Sequence, residues 1–170
     1  MKIKVTLDKA SVNKAIQQVQ QFKEQLHRKN EIFTHRLAEM GARDINTQLQ
    51  AISGIISHEE PIGTAFIENT NLYSVVRMKI VVSSSMILFV EFGTGIKYAG
   101  TQNPKAGELG MGPGTYPGKG HWDDPNGWSY QDSTGVWHHT YGIRAQMPMY
   151  NASQKMIEQV LGLAKEVFHD

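Results

Sequence analysis

The chain has 170 residues, a formal net charge of +1, 40% hydrophobic and 19% charged residues, and no cysteine. That length supports one domain with its own core, the near-neutral charge removes the global attraction on which nucleic-acid binding largely rests, and the lack of cysteine excludes disulfide and thiol chemistry. No apolar run approaches the roughly 20 residues of a membrane span, and the first residues lack the apolar block and cleavage site of a secretory leader, so a reducing cytoplasm is the expected setting.

Residues 2–7 alternate, with Ile3, Val5 and Leu7 on one side, and read as a short strand. Asp8 and Ser11 are candidate N-caps for a helix. Its first apolar stripe is Val12, Ile16, Val19, Phe22 and Leu26, carried on by Phe33, Leu37 and Met40. A second stripe of Ala38, Ala42, Ile45, Leu49 and Ile52 then takes over. This drift fits either one long curved helix or two helices broken near Asn30, ending at Ser53-Gly54.

Thr64 to Glu68 reads as a weak strand, and Asn69-Thr70-Asn71 as a turn. Val76, Met78, Ile80 and Val82 alternate with Arg77, Lys79 and Val81, the period of a half-buried strand. The two strands are expected to pair as a hairpin. Ser83-Ser84-Ser85 interrupts the sheet and offers a cap for a short helix over Met86 to Phe92; a strand is the rival assignment for so short a run.

Residues 93–127 are rich in Gly and Pro, and a connection of that length within a domain is usually functional or disordered. Trp128 to Gln131 and Val136 to Thr140 flank Asp132-Ser133-Thr134-Gly135, a β-hairpin signal. Pro148 suits the first turn of a helix. From there Met149, Ala152, Met156, Ile157, Val160, Ala164, Val167 and Phe168 outline an amphipathic terminal helix, weakened at Gly162. The expected organisation is one domain over residues 1–170, with residues 95–142 as an insertion. The class is α+β: a small, mostly antiparallel sheet against a long N-terminal and a C-terminal helix.

Reactive chemistry is sparse. His138 and His139 are neighbours on a strand and point to opposite faces, so they do not readily share a metal. His121, Asp123 and Asp124 could ligate a cation, but solvated loop residues are the plainer reading. None of Ser83, Ser84 and Ser85 stands in a nucleophile elbow. The glycines around Gly110-Met111-Gly112-Pro113-Gly114 lack the Lys-Ser or Lys-Thr of a phosphate loop. Trp122, Trp128 and Trp137 with Tyr116, Tyr130 and Tyr141 are either stacking groups or a small core for the insertion. Lys97, Lys105, Lys119 and Arg144 are too scattered for a nucleic-acid patch. Glu91, a carboxylate inside an apolar run, must be paired or lie at an edge. It is either a general acid/base or, on the bland reading, an acceptor for the N–H groups of the Gly93-Thr94-Gly95 turn or for an arginine of a neighbouring subunit.

Two peptides carry a family resemblance. Phe89-Val90-Glu91-Phe92-Gly93-Thr94-Gly95 is similar to the V-E-F-G-T segment of the neck and tail-completion proteins of long-tailed double-stranded DNA phages. Gln146-Met147-Pro148-Met149-Tyr150-Asn151-Ala152 resembles their later A-x-P-F segment, where the last helix begins, with Met149 in place of the usual aromatic. The motifs cover about a tenth of the chain, and the order of elements matches over nearly all of it. The resemblance implies a non-catalytic virion subunit without cofactor or metal, assembled in the host cytoplasm. Such subunits form a homo-oligomeric ring, often of six, at the head-tail junction or the head-proximal tail end. Their partners would be connector or neck and tail-tube proteins, with DNA passing through the ring unread and no membrane involved.

On that reading the candidate subunit-interface residues are Glu91, Phe92, Gly93 and Thr94 of the first peptide, Tyr116, Trp122, Trp128 and Trp137 of the insertion, and Met147 and Pro148 of the second. Competing readings are a carbohydrate- or nucleic-acid-binding module using the tryptophans, and a small hydrolase using Glu91 or the histidines.

Overall fold

Asp8 starts the first helix. Its Oδ1 accepts the N–H of Ser11 at 2.8 Å, the bond an N-cap makes to the third residue of a helix. In the computed structural model, which describes residues 3–55, 62–72, 75–84, 86–94, 103–111, 124–132 and 134–169, the helix then runs unbroken over 47 residues as α1, Lys9–Ile55. There is no break near Asn30, because no Gly or Pro interrupts the run before Gly41. Residues 3–7, expected as a strand, form none: alternation makes a strand only where another strand supplies the ladder.

The remaining elements are β1 (Thr64–Asn69), β2 (Met78–Ser83), α2 (Ile87–Phe92), β3 (Trp128–Gln131), β4 (Trp137–Thr140) and α3 (Pro148–Phe168). They confirm the α+β class, with the expected sheet divided in two. β1 and β2 form one antiparallel pair, with Phe66 opposite Val81 and Glu68 opposite Lys79. β3 and β4 form a separate hairpin in which Tyr130 faces His138.

The second apolar stripe of α1 is the core. Ala38, Ala42, Ile45, Leu49 and Ile52 are all buried, and Ala42 to Ile52 join Ile62, Ala65, Val90 and Ala152 in one cluster. β1 lies across this stripe and is stitched to it by one side chain. Asn46 donates to the Ala65 carbonyl at 2.9 Å and accepts the Ala65 N–H at 2.7 Å, satisfying a strand edge that has no neighbour there. α3 packs antiparallel to α1, as a series of cross-helix contacts shows. Gln48 donates to the Pro148 carbonyl, Lys155 pairs with Asp44, Arg36 pairs with Glu166 at 2.8 Å, and the Phe33 and Phe168 rings lie 5.8 Å apart. Close approach is possible because position 41 has no side chain; a Cβ there would collide with Met156 Sδ and Ile80.

The first stripe has a different fate. Val12, Ile16, Val19, Phe22 and Leu26 are each 40–54% exposed, and no residue of α1 before Ala38 is buried. α3 ends opposite Phe33, so the part of α1 from Lys9 to Ile32, roughly 36 Å, projects past it as an arm.

Candidate functional site

The two motif peptides, about fifty residues apart in sequence, lie side by side. Val90 accepts the N–H of Gln146 at 2.8 Å, Thr94 donates its N–H to the Ile143 carbonyl at 2.8 Å, and Ile143 returns its N–H to Thr94 Oγ1 at 3.0 Å. Gly93 makes this approach possible. Its backbone sits at φ +73° and ψ 168°, a region open essentially to glycine alone. A Cβ there would stand 2.7 Å from Ala145 N and 3.0 Å from the Ile143 carbonyl.

Glu91 closes the arrangement. α3 begins with Pro148 at its first position, which has no N–H to satisfy. The N-cap residue, Met147, has no side-chain oxygen and is held at φ +57°, ψ 43°, so the usual local cap is missing. The next two N–H groups, of Met149 and Tyr150, donate instead to Glu91 Oε2 at 2.8 Å and Oε1 at 2.9 Å. The following one, of Asn151, reaches the Met147 carbonyl at 2.9 Å. Every orphan donor of the first turn is thus accounted for, and a negative charge stands at the positive end of the helix dipole. A third donor, Asn103 Nδ2, reaches Glu91 Oε1 at 2.7 Å from within the insertion. Asn103 is itself fixed, because its Oδ1 accepts the Lys105 N–H at 2.8 Å.

Glu91 is only 5% exposed. Burial pushes its carboxyl above the ordinary value of 4.5, while the bonds from Met149, Tyr150 and Asn103 pull the other way and only partly compensate. The carboxylate is therefore held by geometry at some electrostatic cost, the behaviour of a positioning group. Its oxygens face three internal donors, two backbone N–H groups and one side-chain amide. Among the described residues no buried side-chain nitrogen or oxygen lacks a partner, and no group of three His, Asp or Glu is placed to hold a metal.

Two sequence expectations need correction here. The expectation that Glu91 accepts the N–H groups of its own turn does not hold at Gly93 and Thr94: Glu91 caps α3 instead, because Gly93 N–H reaches the Phe89 carbonyl at 2.7 Å and Thr94 N–H goes to Ile143, while Gly95 lies outside the described residues. A serine of Ser83-Ser84-Ser85 is expected to cap α2; its N-cap is Met86, and Ser85 lies outside the described residues. Ser84, two residues before Met86, accepts the Met86 N–H at 3.0 Å and donates to the Ile62 carbonyl.

The candidate interface residues separate into two groups. Glu91, Gly93, Thr94 and Pro148 are buried within the subunit, with Phe92 and Met147 half-buried around them. In the insertion, Trp128 is half-buried and Trp137 is 68% exposed. Tyr116 and Trp122 lie outside the described residues, as do His121 and Asp123. A small aromatic core for the insertion is therefore not what Trp137 forms. It stands exposed on a two-stranded hairpin, with no second layer over it among the described residues. The hairpin is held instead by polar contacts. Asp132 accepts from the N–H groups of Thr134 and Val136 at 2.9 Å and pairs with His138 at 2.6 Å, while the Tyr130 and His138 rings stack. His138 and His139 do point to opposite faces: His139 bonds Ser129 and the Asn126 carbonyl.

Asn103 was missed in the sequence. Asn103-Pro104 does signal a turn, and one forms, with the Ala106 N–H returning to the Asn103 carbonyl at 2.9 Å. Nothing local indicates that its amide reaches a carboxylate twelve residues earlier. No protein-family model, curated protein or solved structure matches the chain.

Proposed function

We propose that the chain is a structural virion protein of a phage or prophage, forming a ring at the head-tail junction or the head-proximal end of the tail. The observation that carries this reading is the use to which the two family-like peptides are put. They are the two halves of one clasp, and the carboxylate at its centre is engaged by backbone and amide donors and not by a reactive partner. A motif that fixes geometry belongs to a part that must present surfaces accurately. An arm with an exposed apolar face and an insertion with exposed aromatics are surfaces of that kind. The buried residues Glu91, Gly93, Thr94 and Pro148 serve by orienting α3 and the roots of the insertion, and the contacts with other subunits fall to exposed groups such as Trp137.

The test is to analyse purified particles for the chain and to delete its gene. The expected result is a fixed copy number per particle and, on deletion, filled heads and tails that fail to join. Particles that lack the chain, or an undiminished titre after deletion, would refute the reading. A second reading, a carbohydrate- or nucleic-acid-binding module, draws on the exposure of Trp137, Tyr130 and Tyr141. Quenching of tryptophan fluorescence by glycan or oligonucleotide, weakened in Trp137→Ala, would favour it.

A further inference from the structure

The arm of α1 poses a physical problem. Most of a protein helix's stability comes from packing its apolar face, yet the arm presents Val12, Ile16, Val19, Phe22 and Leu26 on one side, each 40–54% exposed. Val12, Val19, Leu26, Phe33 and Met40 follow one another at intervals of seven, the spacing of a seam that expects a second helix. In its lower part that seam has one, since Phe33 meets Phe168 of α3. Above Phe33 the seam continues without α3.

Charge indicates what covers it. Residues 1–30 hold seven Lys or Arg against two Asp or Glu, while residues 31–170 hold ten against fourteen. The arm side is thus net +5 and the body net −4, an asymmetry hidden in the overall +1. The body also carries an exposed apolar face for the seam to meet, on a helix whose own charges balance. On α3, Ile157 is 66% and Leu161 73% exposed, one helical turn apart on the face turned away from α1. Lys155 and Glu166 nearby are already paired with Asp44 and Arg36 of α1, leaving Glu158 and Lys165 at the rim. The arm cannot reach this face in its own chain, because α1 is one rigid helix running past the end of α3.

We infer that the basic arm of one copy docks along the outward face of α3 in the next copy, its apolar seam covering Ile157 and Leu161. Donor and acceptor are different surfaces, so copies join either head-to-tail, as a ring requires, or by reciprocal exchange of arms about a two-fold axis, and the mass in solution separates the two. The inference deepens the ring reading and rests on it only for closure.

The chain has no cysteine, which permits a clean cross-linking test. Purified Phe22→Cys and Leu161→Cys variants are mixed and oxidised, with each alone as a control, and the mass of the uncross-linked protein is measured in solution. The wild type is expected above 19.1 kDa at 50 mM salt. Phe22→Glu and Ile157→Glu are each expected to weaken association at least tenfold while the dissociated chain keeps a cooperative thermal transition, since both sites lie outside the core. The mixture should cross-link where neither variant alone does. A monomeric wild type at 50 mM salt, an unchanged mass in Phe22→Glu, or dimers of Phe22→Cys alone (arm against arm) would each overturn the docking. Cross-linking in solution combined with absence of the chain from particles would instead sink the virion reading and leave the docking standing.

Discussion

Replacing Glu91 by glutamine keeps the shape of the side chain and changes only what it can accept. The carboxylate takes three donors, the N–H groups of Met149 and Tyr150 and the amide of Asn103. A glutamine has one carbonyl oxygen, sufficient for two of them, and its NH2 group must then face the third. Asn103 cannot rotate its amide to help without giving up the Lys105 N–H. At least one buried donor is left without a partner, at about 1–3 kcal/mol, and the charge–dipole attraction at α3 goes too, worth about 0.3–1 kcal/mol. Relief of the carboxylate's burial offsets part of this, so Glu91→Gln should cost about 2 kcal/mol at neutral pH, or roughly 4–8 °C in the thermal midpoint of a domain this size. Denaturant unfolding measures it. The pH dependence has a definite sign. The folded carboxyl lies above its ordinary value of 4.5, so the folded state keeps a proton that the unfolded state has already lost. The wild type therefore loses stability as pH climbs through that window, and the glutamine does not titrate. The gap between the two proteins should be widest near pH 4 and narrower at pH 7. A Glu91→Gln protein as stable as wild type at both values would refute the capping argument.

Gly93→Ala forces a Cβ into a region reserved for glycine and against Ala145 N; a loss of more than about 2 kcal/mol in denaturant unfolding is expected. The β3–β4 hairpin should loosen in acid. Hydrogen bonds from Thr134, His138 and Val136 hold the Asp132 carboxyl well below its ordinary 3.8, so its contribution is present above that value and lost as pH falls below it. Amide exchange at Thr134 and Val136 should accelerate in that range in the wild type and show no such onset in Asp132→Asn.

The elements were legible in the sequence wherever a local rule decides them. The stripe from Ala38 to Ile52 gave the buried face of α1, Pro148 gave the start of α3, and Asp132 to Gly135 gave the hairpin. What escaped were partnerships between distant segments. The first stripe of α1 has the same periodicity as the second, yet one is core and the other exposed. The difference is where α3 ends, which no window on α1 contains. A carboxylate in an apolar run announces that Glu91 needs donors, but the sequence points only to its own turn or to an arginine of another subunit. The true ones lie 58 and 59 residues on, at a helix whose own N-cap position is occupied by a methionine.

That long-range pairing has a consequence for the insertion. Thr94 and Ile143 exchange hydrogen bonds, so residues 95–142 leave and rejoin the body at one place, as a hairpin loop leaves a pair of strands. Such a segment can change in length and sequence without shifting the frame that carries it, since closure cost grows only slowly with loop length. Replacing residues 95–142 by a four-residue Gly/Asn turn should therefore leave the packing of α1, β1, β2 and α3 intact. The cost is about 1–3 kcal/mol for the lost Asn103 bond to Glu91, together with whatever packing buries Ala106. Circular dichroism and a cooperative thermal transition would verify the fold. A variant that loses that cooperative transition would mean that the insertion is part of the core rather than an appendage of it, and the clasp would then be a consequence of the fold and not its frame.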